Sequence, residues 1–85
     1  MPVGFPVVDG YDRYDTFDEY ARSAANNWTP MVLFPQNDEG WDARRTEVDA
    51  YGAKIVAEVD PAAYDDLDHL IDAMMEVERR QSKYA

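Results

Sequence analysis

The chain is 85 residues long, carries eighteen acidic against eight basic residues for a net charge of −10, and contains no cysteine. A chain this short supports one core and leaves no room for a separate catalytic lobe, and the missing thiols exclude disulfides, Cys-type zinc clusters and cysteine nucleophiles. His69 is the single histidine, which argues against a multi-imidazole zinc site or a Ser/His/Asp triad elsewhere, while the charge argues against direct contact with nucleic acid or anionic lipid.

Apolar content is ordinary, and two Trp, six Tyr and three Phe supply large buriable surfaces, so residues 1–85 are expected to fold as one compact acidic domain. The opening MPVGFPVVDG has no basic segment before an apolar run, and no stretch reaches membrane-spanning length. A cytoplasmic location is the expectation.

In chain order, PVGFPVVD is short and apolar, but Pro2, Gly4 and Pro6 limit it to an edge strand or an extended arm. YDRYDTFDEYA, residues 11–21, then places a carboxylate after an aromatic at every third position. That period does not match 3.6 residues per turn, so Asp9, Asp12, Asp15 and Asp18 form no single helical ladder. Thr16 with Glu19 is a capping-box pair, and Phe17, Tyr20, Ala21 and Ala24 make one apolar face, so a first helix is predicted from about Thr16 to Asn26. Tyr11 to Asp15 are its approach, with Asp15 near the positive helix end.

TPMVLFP predicts a buried strand over 29–34, ended by Pro35 and the turn-forming PQNDEG. WDARRTEVDAYG sets Trp41, Val48 and Tyr51 on one helical side and closes on Gly52, which predicts a second helix; alternation at Thr46, Val48 and Ala50 leaves a strand over 40–51 as the alternative. AKIVAEV, residues 53–59, carries β-branched Ile55, Val56 and Val59 and predicts the third strand. Asp60-Pro61 then opens a long amphipathic helix to about Ser82, with Tyr64, Leu67, Leu70, Ile71, Met74 and Val77 as its core stripe. The expected fold is α/β, or α+β if the second helix is a hairpin: about three short strands packed with two or three helices.

The last helix carries the most distinctive charge. From Asp60 to Glu78 there are seven acidic residues and no Lys or Arg, and Asp65, Asp68, Asp72 and Glu76 share one stripe opposite Leu67 and Met74. Such a stripe is either a solvated face or a row of carboxylates that imitates nucleic-acid phosphates and occupies a basic groove. His69 stands among Asp65, Asp66 and Asp72 as a local counter-charge; one imidazole is a poor basis for a metal site. Asp38, Glu39 and Asp42 do not follow the EF-hand spacing, and the isolated glycines form no phosphate loop. Arg44-Arg45 beside Trp41 either binds an anion, stacks on the ring or neutralises neighbouring acids. Trp28 and Trp41 are expected in the core, although a Trp left exposed beside acids would look like an interface anchor.

No motif ties the chain to a family. In size and charge it resembles small acidic phage or plasmid inhibitors of nucleic-acid enzymes, including anti-CRISPR and anti-restriction proteins. The expectation is a non-enzymatic, cofactor-free inhibitor that binds a basic partner of the nucleic-acid-handling kind through Asp65, Asp68, Asp72 and Glu76 with help from Asp12, Asp15, Asp18 and Trp41. One alternative is an acidic accessory or regulatory domain of a salt-adapted or GC-rich source that binds through an apolar patch around Trp41, Met31 or Tyr84. An antitoxin-like neutraliser of a basic toxin is the other.

Overall fold

A computed structural model describes residues 2–83. An antiparallel hairpin, β1 (Val7–Asp9) and β2 (Asp12–Tyr14), precedes three helices, α1 (Phe17–Trp28), α2 (Asp38–Glu58) and α3 (Leu67–Gln81). Single 3₁₀ turns, Met31–Leu33 and Pro61–Ala63, lie in the two helix connections. The class is a small α+β domain in which both α1 and α3 pack against the central α2.

The hairpin is tight because Gly10, at φ 64°, takes the positive-φ position that opens a two-residue turn, and no other residue type in the described chain has positive φ. Val7 pairs with Tyr14, Val8 with Arg13 and Asp9 with Asp12. The segment expected to be only an approach to the first helix thus contains a strand. The apolar arm before it packs on the core through Val3 and Phe5, and the Val3 N–H donates to the Tyr64 carbonyl at 2.8 Å.

α1 starts where the capping box places it. The Glu19 N–H donates to Thr16 Oγ1 at 3.2 Å, and Glu19 Oε2 accepts from the Asp15 N–H at 2.9 Å. Its face buries Tyr20, Ala21 and Ala25, with Phe17, Ala24 and Trp28 partly covered.

Two expected strands are helical. Residues 29–34 hold the 3₁₀ turn Met31–Leu33: among the described residues the one sheet is the β1–β2 hairpin, and the Phe34 N–H closes on the Met31 carbonyl at 3.1 Å. AKIVAEV is the last stretch of α2 with its cap Val59, because Ile55 and Val59 are spaced by one turn and reach the core, with Tyr51 and Gly52 buried on the preceding turn, which outweighs the strand preference of β-branched residues. Gly52 is therefore internal rather than a cap. It permits close packing, since a Cβ there would lie 3.1 Å from Arg22 Cγ. Asn37 caps α2 by accepting from the Gly40 N–H at 2.8 Å.

The last helix is also shorter than expected. Asp60 caps only the 3₁₀ turn, through the Ala62 N–H at 3.0 Å, and Tyr64 is extended. A second cap, Asp66, accepts from the His69 N–H at 2.8 Å and starts α3. Leu70, Met74 and Val77 are buried against Ile55, Val59, Tyr20 and Ala21, with Tyr64, Leu67 and Ile71 at the margin. No helix among the described residues is long and apolar enough to cross a membrane.

Candidate functional site

The cap at Asp66 divides the acidic stripe. Asp65 precedes α3, whereas Asp68, Asp72 and Glu76 lie on it at intervals of four residues and are all exposed. Glu76 is engaged: its carboxylate accepts from Arg79 Nη2 at 2.6 Å and lies 3.9 Å from Arg80 Nε. The hydrogen bond from Arg79 lowers the Glu76 pKa, and the same contact raises that of Arg79. Asp68 and Asp72 meet no cation within ion-pair distance among the described residues, so they are the part of the stripe whose charge stays open to solvent.

His69 does not join them. Its Nδ1 lies 2.7 Å from Asp66 Oδ2, so one carboxylate holds both the main chain and the ring of His69. Those bonds, the main-chain one first, keep the Asp66 carboxyl below its usual pKa.

Asp15 forms an ion pair with Arg13 at 2.8 Å, and Asp18 with Arg22 at 3.3 Å. Asp9 and Asp12, facing each other across the hairpin end, have no such partner among the described residues. Two carboxylates directly opposed on a strand pair repel each other. The structure brings this hairpin to α3: Asp9 lines a groove of about 160 Å³ with Tyr14, Tyr20, Trp28, Ile71 and Met74. Within it the Tyr14 and Tyr20 rings meet edge to face at 5.1 Å, and the Tyr14 hydroxyl lies 3.1 Å from Ser23 Oγ. Burial, and next the charge of Asp9, raise the Tyr20 pKa.

The basic residues are mostly committed within the molecule. Arg22 also reaches Asp49 at 3.6 Å, Arg80 reaches Glu58 at 3.5 Å and Lys83 reaches Glu47 at 2.7 Å. Arg44 turns to the end of α1 and donates to the side-chain and main-chain oxygens of Asn26 and to the Thr29 carbonyl.

Trp41 lies in the first turn of α2. The bonds that join α2 to the end of α3 begin at Glu47, about 9 Å further along the α2 axis at 1.5 Å per residue. Trp41 is not a core residue as expected: it is 50% exposed and lines a shallow pocket with Met31 (40%), while Val32 (87%) and Leu33 (56%) are exposed on the same Met31–Leu33 turn. Asp38, Glu39 and Asp42, all exposed, lie on the α2 turn that carries Trp41. Tyr84, expected in the same kind of patch, lies outside the described residues. The strand expectation over 29–34 had hidden this surface; the paired prolines, Pro30 and Pro35, were the available signal.

No protein-family model matches the chain, and neither a curated protein nor a solved structure gives a match.

Proposed function

We propose that this chain is a non-enzymatic acidic protein-binding domain that occupies the basic surface of a nucleic-acid-handling protein, with carboxylates standing in for phosphates. The observation that carries this reading is the uncompensated pair Asp68 and Asp72, one turn apart on the exposed side of α3. Asp68 in the first turn of α3 suits the positive helix end, but Asp72 lies a turn beyond it and the two carboxylates repel each other, whereas a partner's Lys and Arg side chains would relieve that repulsion on binding. The −10 charge adds long-range attraction that speeds encounter with a basic surface and weakens in salt.

The test is capture from native host extract by the immobilised chain at low and high salt, beside the Asp68→Lys/Asp72→Lys variant. A captured basic protein that is released by salt, lost with the double reversal and competed by duplex DNA supports the reading. Capture that is indifferent to salt and to the reversal overturns it.

The exposed Met31, Val32, Leu33 and Trp41 favour a second reading, an accessory domain that binds through this apolar surface. In that case Val32→Ser/Leu33→Ser abolishes capture and charge reversal leaves it intact.

A further inference from the structure

We propose that the groove between the hairpin, α1 and α3 is a socket for an arginine side chain of the basic partner, an inference that rests on the reading above and names the group recognised. Three features converge there. The walls are aromatic and apolar, formed by Tyr14, Tyr20, Trp28, Ile71 and Met74. The lining also includes one carboxylate, Asp9, which meets no cation among the described residues, and two further acceptors, the Ser23 hydroxyl and the Asn27 amide. The volume, about 160 Å³, is on the order of ten times what a single water requires.

A neutral apolar ligand would leave Asp9 desolvated without compensation, and an anion would meet its charge directly. A second copy of this chain is disfavoured because each carries a charge of −10. A cation is the complementary occupant. Between the two cationic side chains, the groove fits guanidinium better: it is planar, more weakly hydrated than ammonium, stacks on aromatic rings and presents donors in a fork. One edge of the fork can face the Asp9 carboxylate while the other reaches Asn27 or Ser23, with the methylenes against Ile71 and Met74.

The socket also accounts for an oddity of the hairpin. Asp9 and Asp12 oppose each other at its end with no intervening cation, an arrangement that disfavours the hairpin alone. A guanidinium at Asp9 compensates one of the two charges and so relieves that repulsion.

The test uses the isolated chain and three small probes followed by NMR: N-acetyl-arginine methylamide, its lysine counterpart, and the citrulline counterpart, a neutral isostere of the first. Expected are saturable shifts confined to the Trp28 indole N–H, the Ile71 and Met74 methyls and the Tyr14 ring. Arginine should bind more tightly than lysine and about tenfold more tightly than citrulline. Asp9→Asn, a change at an exposed side chain, should weaken the arginine probe by a similar factor while the hairpin amide shifts persist. Equal binding of citrulline, no localised saturation, or indifference to Asp9→Asn with the hairpin intact overturns the socket. Asp68→Lys/Asp72→Lys replaces no lining residue and, with long-range charge screened by salt, should weaken probe binding far less than Asp9→Asn does, so the socket and the α3 stripe fail separately.

Discussion

Arg44 holds Asn26 by two bonds, Nη1 to the side-chain Oδ1 at 2.6 Å and Nη2 to the main-chain carbonyl at 2.6 Å. The same Nη2 reaches the Thr29 carbonyl at 3.0 Å, so one guanidinium ties the end of α1 to α2. Last-turn carbonyls of a helix lack internal partners, and a cation there also meets the negative end of the helix dipole. Arg44→Ala should destabilise the fold by about 1.5–3 kcal/mol, read by urea unfolding. Arg44→Lys should recover only part of this, because an ammonium cannot place two donors in the guanidinium geometry.

Gly40 is fixed by a close approach rather than by its backbone angle. It is buried in the first turn of α2, where a Cβ would fall inside the carbonyl group of Pro35. Alanine is the better helix former by about 1 kcal/mol, so propensity alone would make Gly40→Ala stabilising. The clash is with main chain and cannot be relieved by a rotamer change, so a net loss of about 1–3 kcal/mol is expected. Gly4→Ala, where added bulk meets nothing within 4 Å, serves as the neutral control in the same melts.

Local signals of two kinds carried through to the structure, and a third kind did not. Caps were legible: Thr16 with Glu19 starts α1 because their bonds span only a few residues. The α3 stripe was legible from Leu70 to Val77 because helical period and burial agree there. The nature of AKIVAEV was not, since Ile55 and Val59 fit a strand and a helix equally and the decision rests on contacts with Tyr20 and Leu70, distant in sequence. Of the acids, the sequence placed Asp68 and Asp72 correctly on one face, but their difference from Glu76, Asp15 and Asp18 depends on which arginine folds back to which carboxylate. The groove at Asp9 joins the hairpin to α3 across more than sixty residues, and no spacing rule encodes it.

The Asp66 cap gives the fold a defined response to acid. Its carboxyl titrates below the ordinary carboxylate range in the folded chain because the His69 N–H and ring bind the ionised form. A folded pKa below the unfolded value means stability that is fully present above the unfolded value, about 4, and lost as pH falls through the depressed folded one. Glu76 acts in the same direction through Arg79. Melting temperature should therefore fall below about pH 4. Asp66→Asn keeps a capping oxygen without the titrating charge, so its melting temperature should vary less steeply over that acidic range; an unchanged pH profile would show that the cap does not contribute.

Val32 and Leu33 separate folding from binding at the apolar surface. Both side chains project from the Met31–Leu33 turn into solvent and neither belongs to the buried core. Replacing them together with serine should move the unfolding free energy by less than about 0.5 kcal/mol per site. Retention of host proteins by the immobilised variant then measures only the surface, with no loss of folded material to confuse it.

Asp12 offers the opposite combination, a change that helps the fold and harms the proposed contact. It faces Asp9 across the hairpin end, and Asp12→Lys turns a repulsive pair into an attractive one worth roughly 0.2–1 kcal/mol. The gain should be largest at low ionic strength and shrink in salt, since both groups are exposed. The new ammonium also supplies a cation to Asp9 from within the chain, and so competes with a guanidinium entering the groove. A variant that melts higher at low salt yet binds N-acetyl-arginine methylamide less tightly than the parent shows that the Asp9–Asp12 repulsion is held for a ligand. Higher stability with unchanged arginine binding assigns that repulsion to the hairpin alone.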